Sequence, residues 1–307
     1  MRTVVTGGAG FIGSNLVDLL IEKEHQVSVI DNLSSGKKAN LNPKATFYRA
    51  DIGDPKIAEI FAQEKPEFIF HLAAQIDVRK SVADPIYNAK INTLGFLNIL
   101  ENCRKYQVKK VIFSSSGGVV YDQKCVPADE DDPKDPLSPY GITKYDSELY
   151  LKFYQRIHQM KYTALRYSNV YGPRQDPLGE AGVVAIFTNL MLKNKQPTIF
   201  GDGKQTRDYV FVGDVALANL IAAEKGDNDV FNIGTGIETD VNQLFAELKS
   251  ACGFRGEAKY APARPGELSR NAVNPAKAAK ILGWRPETSL KDGLKITLDS
   301  IKKLHNY

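Results

Sequence analysis

Residues Val4 to Gly13 read Val-Val-Thr-Gly-Gly-Ala-Gly-Phe-Ile-Gly, an apolar β-branched run that breaks into glycines at Gly7, Gly10 and Gly13 and opens an apolar helical segment. Few chains can fold around such a corner in more than one way. Glycines at these positions allow a tight turn and let backbone N–H groups approach a pyrophosphate, whose charge the helix N-terminus favours. A glycine triplet alone is weak evidence, because glycine-rich turns are common. Here Asp31 follows Gly13 by 18 residues at the end of the next strand-like run, where a carboxylate can accept hydrogen bonds from an adenosine ribose and would repel a 2′-phosphate. Asp31-Asn32 brings no arginine with it, although Lys37 and Lys38 are close in sequence. The reading is a dinucleotide site that prefers NAD to NADP, with Asp51-Ile52 beside the adenine.

The rest of the chain supports the fold this corner requires. Thr3–Thr6, Gln26–Ile30, Thr46–Ala50, Phe68–Leu72, Lys110–Ser115 and Tyr162–Tyr167 read as strands, and Phe11–Lys23, Pro55–Gln63, Pro85–Tyr106 and Pro139–His158 as helices. Alternation of apolar strands with amphipathic helices predicts an α/β architecture, a Rossmann-type doubly wound parallel sheet covered on both faces. After about residue 170 loops rich in Gly and Pro separate shorter helices near Val183–Lys193, Gly213–Lys225, Val241–Ala251 and Pro275–Leu282. We expect an NAD-binding domain over 1–170 and a smaller substrate-binding lobe over 171–307; some later segments, such as Thr206–Phe211, suit either.

Composition closes off other classes. With 307 residues, 43% hydrophobic and 25% charged, the chain has ample material for a large core. The net charge of 40 − 36 = +4 is too dilute for a nucleic-acid surface, yet it leaves room for a local positive cleft that takes an anionic substrate. No run of 18 apolar residues occurs, and the N-terminus lacks a signal-peptide pattern, so neither membrane insertion nor export is expected. Cys103, Cys125 and Cys252 are scattered and odd in number, which suits the cytoplasm and supports neither a disulfide framework nor a metal site.

Tyr140 and Lys144 stand four residues apart on one face of the helix expected from Pro139. A nearby ammonium favours the phenolate, each pKa unit being worth about 1.4 kcal/mol, so the tyrosine could serve as a general base. Such a pair is common by chance. Ser114-Ser115-Ser116 sharpens it by ending a strand at the carboxyl edge of the sheet, where open α/β folds bind ligands.

Taken together, residues 6–14 (Thr-Gly-Gly-Ala-Gly-Phe-Ile-Gly-Ser), Asp31 to Gly36, His71-Leu72-Ala73-Ala74, the serine-rich strand end, Ser138-Pro139-Tyr140-Gly141-x-x-Lys144 and Arg166 to Arg174 resemble the extended short-chain dehydrogenase/reductase family, in the family's own order and across essentially the whole chain. Within it the chain is most similar to NAD-dependent epimerases of the UDP-glucose 4-epimerase type. The resemblance implies that Tyr140 is the base, that Lys144 holds the nicotinamide ribose, and that Ser116, or else Ser115, bonds the reacting oxygen. It places NAD against Phe11, Ile12, Asn32, Ser35, Gly36, Asp51, Ile52, Leu72, Ala73, Ala74, Gln75, Asn92, Ser114 and Ser168, besides the glycines and Asp31. It places a UDP-sugar against Arg79, Asn169, Val183, Val184, Phe200, Arg207, Arg264 and Glu267, with Arg207 and Arg264 on the diphosphate, since an arginine fork can bond two phosphate oxygens. Singly, Leu72 to Ala74 could be only a strand end, Asn92 a helix-face polar residue, and either arginine a surface loop residue.

Gly117 and Gly118 occupy positions where dehydratases and decarboxylases of the family carry an acid, which disfavours those reactions. The position that restricts relatives to plain hexoses falls near Asn271, which is not bulky, so UDP-N-acetylhexosamines are expected as substrates beside UDP-glucose and UDP-galactose. UDP-glucuronate epimerisation, a nucleotide-sugar dehydratase or reductase, and a non-catalytic NAD sensor are the alternatives. By the same resemblance the helices Pro85–Tyr106 and Pro139–His158 would pair with a second copy as a homodimer.

Overall fold

The computed structural model describes residues 1–177, 182–264 and 268–305. Seven parallel strands form its central sheet: β1 (Arg2–Thr6), β2 (Gln26–Asp31), β3 (Thr46–Arg49), β4 (Phe68–His71), β5 (Lys110–Ser116), β6 (Lys161–Tyr167) and β7 (Asp229–Ile233), in the order β7-β6-β5-β4-β1-β2-β3. Every pairing is parallel, as strands joined by helical crossovers require. Successive side chains point to opposite faces, so Val4, Ile69, Val111 and Ala164 enter one core while Val5, Phe70, Ile112 and Leu165 enter the other. Both faces are covered, which is why these strands are apolar throughout rather than alternating.

On the first face lie the helices Ile57–Glu64, Phe96–Lys105 and Pro139–His158, and on the second Phe11–Glu22 packs on Val212–Glu224. The helix expected over Pro85–Tyr106 is a helix Pro85–Ala89, a wide π turn Lys90–Gly95 and a helix Phe96–Lys105 in one continuous run. At Gly95 a Cβ would come within 2.8 Å of the Ile52 side chain, so this helix sits close on the loop after β3.

Strand β7 adds to the sheet beside β6 through the crossover helix Val212–Glu224. The other later elements, helices Val183–Leu192, Val241–Cys252 and Leu290–His305 with three two-stranded ladders, gather around Tyr171, Phe187, Ile199 and Leu244. Strand order reverses between β1 and β4, and the crevice outside their carboxyl ends is where such sheets bind ligands. Among the described residues no helix is long and apolar enough to cross a membrane.

Candidate active site

A single cleft of about 980 Å³ runs from the glycine corner, past the end of β5, to the later loops. At the glycine corner the fit is determined by missing side chains. Gly7 has φ +73°, and a Cβ on it would meet Ala73 N at 2.7 Å; a Cβ on Gly13 would lie 2.2 Å from Gly7 O. Gly10 N donates to Gly7 O at 3.1 Å, closing the turn from which the helix Phe11–Glu22 starts. Asp31 is buried at the end of β2 and accepts from Ala9 N (3.0 Å) and Leu33 N (2.8 Å). Burial raises its carboxyl pKa against the lowering effect of those two backbone donors. A Cβ on Gly36 would press on this carboxylate at 2.9 Å, so Gly36 stands behind Asp31 and not on the cleft surface.

Asn32, Ser35, Asp51, Ile52, Leu72, Ala73, Ala74 and Gln75 line the same wall, as do Phe11 and Ile12. Asp51 accepts from Asn32 Nδ2 (2.8 Å) and Gly53 N (2.9 Å). Asn92, expected against the cofactor, lies buried behind the cleft wall. From the π turn it accepts from Gln75 N (2.8 Å) and donates to Gln75 O (2.9 Å), fastening the loop after β4 from behind.

The middle of the cleft is built by two elements that meet at their ends. Ser138 caps the long helix Pro139–His158, its hydroxyl accepting from Gly141 N (3.1 Å), and Pro139 occupies the first turn, where its missing N–H costs nothing. Tyr140 and Lys144 then face the end of β5. Lys144 Nζ donates to Ser114 O (2.6 Å) and stands 5.8 Å from the Tyr140 ring centroid and 5.0 Å from that of Phe113. Burial brings the Lys144 pKa down to about 8, with Glu148 opposing the shift, and burial pushes the Tyr140 phenol above its ordinary value. The four-residue spacing brings an ammonium to the phenol but does not by itself lower the phenol's pKa. Positive charge delivered to the cleft by a ligand would act in that direction.

Ser115 donates to Glu148 Oε1 (2.6 Å), whereas Ser114 and Ser116 project to the other side of β5. All three serines line the cleft, and the hydroxyl of Ser115 is the one taken up by the carboxylate of Glu148.

Asn169, Val183, Val184, Phe200, Arg207 and Arg264 line the far end, with Ser168 between the two ends. Arg207 Nη1 donates to Thr206 O (2.7 Å) and Leu268 O (2.9 Å), and the Arg264 guanidinium lies 3.8 Å over the Phe200 ring. Both cations are thus oriented by neighbours rather than free in solvent. Asn169 donates to Asn271 Oδ1 (3.3 Å). Glu267 lies outside the described residues. Arg79, expected against the substrate, is exposed and does not line the cleft. On the short helix Val78–Ala83 the neighbouring Lys80 lines it, because one residue turns a helix by about 100°. Lys80, with Nζ 4.5 Å from the Tyr87 ring centroid, and Gln205, donating to Phe200 O (2.9 Å), were missed in the sequence. Gln205 stands two residues before Arg207 in the same family-like segment without being singled out, and no motif flags Lys80.

A Rossmann sheet with a glycine cradle, an aspartate at the end of β2 and a Tyr/Lys/Ser group in one cleft defines a nicotinamide-dinucleotide enzyme of the short-chain dehydrogenase/reductase class. The chain belongs to the NAD dependent epimerase/dehydratase family, which it matches over residues 3–234. It is 53% identical over 300 residues to a putative UDP-glucose 4-epimerase of Methanocaldococcus jannaschii, covering 97% of this chain and 98% of that one. It is similar to the crystal structure of UDP-glucose 4-epimerase with UDP-glucose from Thermotoga maritima, with TM-score 0.98, 53% identity, and 99% and 100% of the two chains covered. It also resembles UDP-N-acetylglucosamine 4-epimerase from Methanobrevibacter ruminantium in complex with UDP-N-acetylmuramic acid, with TM-score 0.94, 36% identity, and 98% of each chain covered.

Proposed function

We propose that this protein is an NAD-dependent UDP-hexose 4-epimerase that interconverts UDP-glucose and UDP-galactose and also accepts UDP-N-acetylhexosamines. One observation carries the reading: Tyr140, Lys144 and Ser116 stand where the glycine cradle and the arginine-bearing end of a single cleft meet. The cradle fits a dinucleotide, because Gly7 and Gly13 leave no room for a Cβ and backbone comes to the surface in its place. Bound NAD supplies a hydride acceptor and, in its oxidised form, positive charge near the phenol.

Tyr140 takes the proton from the sugar 4-hydroxyl, Ser116 holds the same oxygen, and Lys144, fixed on Ser114 O, holds the nicotinamide ribose. Arg207, Arg264 and Asn169 hold the diphosphate, so the 4-keto sugar turns over without leaving. Dehydration is disfavoured by space as well as by sequence, since a side chain at Gly117 would meet Val273 Cγ1 at 2.6 Å. Tolerance of an N-acetyl group rests on Asn271, whose short side chain is folded back to Gly117 O (3.5 Å).

Exposed apolar side chains stand at Val82 on the short helix Val78–Ala83, at Ile86 and Leu94 on the helical run that starts at Pro85, and at Leu149, Phe153 and Ile157 on Pro139–His158, which supports assembly as a homodimer. The reaction is tested by incubating the purified protein, without added cofactor, with UDP-galactose, UDP-GlcNAc and UDP-glucuronate and resolving C4 epimers by NMR. We expect epimerisation of the first two and a loss of about 10³-fold in Tyr140→Phe. Full turnover in that variant would sink the mechanism, and inert UDP-GlcNAc beside reacting UDP-galactose would remove the N-acetyl reading.

A further inference from the structure

Tyr140, Lys144 and Glu148 recur at intervals of four on the helix Pro139–His158 and so share one face, turned towards the end of β5. The reaction proposed above uses the first two. Glu148 is completely buried and Arg166, from β6, is 2% exposed. Arg166 Nη2 donates to Glu148 Oε2 (2.6 Å) and Nε to Oε1 (2.9 Å), the bidentate geometry of a strong pair. Its Nη1 donates to the Tyr121 hydroxyl (2.7 Å) and Glu130 O (3.1 Å), and Tyr121 in turn donates to Asn232 Oδ1 (2.6 Å) on β7. Arg166 is the direct register partner of Ser115 across β5 and β6, which places the serine hydroxyl on Glu148 Oε1 at 2.6 Å. Burying an ion pair contributes little to stability, since apolar residues of similar volume often serve as well. Stability alone therefore does not account for a carboxylate at this position.

We propose that Glu148, clamped by Arg166, is a positioning residue for the reacting face. It engages the Ser115 hydroxyl, which fixes the end of β5 that presents Ser116 and the Ser114 carbonyl, and it sets a fixed negative charge one helical turn beyond Lys144. Among the described residues, the groups that interact with Lys144 are few. Tyr140 and Glu148 come from its own helix; Phe113 and the Ser114 carbonyl come from β5; His71 comes from the end of β4; from β6, Arg166 acts one step away through Glu148, and the Tyr167 phenol through the Ser114 side chain. Burial holds His71 neutral, with its pKa brought down to about 3, and its Nδ1 lies 2.9 Å from Thr6 Oγ1. Of these groups Glu148 is the anion, and it opposes the loss of the Lys144 proton that burial promotes.

The inference rests on the 4-epimerase reading for its kinetic readout alone, so the test has two arms. Isotope-labelled lysine side-chain NMR, assigned with Lys144→Arg, follows the Lys144 titration in the full-length protein. In Glu148→Gln, which keeps the shape and loses the charge, that titration should fall by about one pH unit or more. Ser115→Ala leaves the ion pair intact and cuts its link to the strand; we expect kcat for UDP-galactose to fall about tenfold, with KM within about twofold and the melting temperature little changed. If Glu148→Gln does not fold, Ser115→Ala decides. A Ser115→Ala enzyme with unchanged kcat, or a Lys144 titration unmoved in folded Glu148→Gln, would overturn the proposal. A lowered Lys144 titration in a protein whose wild type epimerises nothing would uphold the electrostatic role and fail the epimerase reading instead.

Discussion

At the cofactor end of the cleft the wall is made by leaving side chains out: Gly7 and Gly13 bring backbone to the surface, and the carboxylate of Asp31 is held by two backbone N–H groups. At the other end, proposed for the sugar nucleotide, the wall is made by long side chains on loops, with Arg207 tied to two carbonyls and Arg264 laid over Phe200. The first kind of wall has no adjustable parts, since a backbone turn packed within van der Waals contact cannot yield without moving its neighbours. The second adjusts rotamer by rotamer. A cofactor that stays through turnover suits the former. A sugar that must turn while its diphosphate is held suits the latter.

The comparison is tested most severely at Gly13. An alanine there sets a Cβ 2.2 Å from Gly7 O, and such overpacking against backbone should cost about 3 kcal/mol and abolish NAD retention, read from the melting temperature and from NAD released on denaturation. Full NAD content in Gly13→Ala would show that the corner yields after all. Arg264→Met and Arg207→Met should raise KM for UDP-galactose about 10- to 100-fold, the range of one or two hydrogen bonds to a charged group, while retaining NAD. Arg264→Met is the cleaner test, because Arg207 also holds the carbonyls of Thr206 and Leu268. Loss of NAD in Arg264→Met would mean that the two ends are one coupled wall. The smallest effect is expected at Ile157, exposed in the last turn of Pro139–His158 and off the cleft. Ile157→Lys should convert a dimer to a monomer in sedimentation and leave both KM and NAD content within about twofold, lysine being compatible with a helix C-terminus. A wild type that sediments as a monomer would remove the dimer reading.

Most strands of the sheet and the long helix Pro139–His158 were legible because their signals are local, whereas strand Asp229–Ile233 and the helix Leu290–His305 were not read from the sequence. Val4, Val5, Ile69 and Phe70 had to be apolar whichever face they met, and Ser138-Pro139 marks a helix start by hydrogen-bond chemistry that needs no neighbour. The π turn at Lys90–Gly95 was not legible, since the same apolar spacing serves a regular helix. Nor was the path of Asn92, whose amide could equally have faced a ligand; its two bonds to Gln75 depend on where the loop after β4 passes.

By itself the sequence determined the glycine corner, the aspartate at the end of β2 and the four-residue stripe through Tyr140 and Lys144, because turn sterics and helical period act over a few residues. The tertiary structure decided which of two neighbours is available to the cleft. Ser115 lines the cleft but has its hydroxyl taken up by Glu148, which Arg166 clamps. Lys80 rather than Arg79 lines it because the rotation of a short helix is set by what it packs on. These choices turn on contacts between residues far apart in the chain, such as 115 with 148, and no local pattern encodes such a contact.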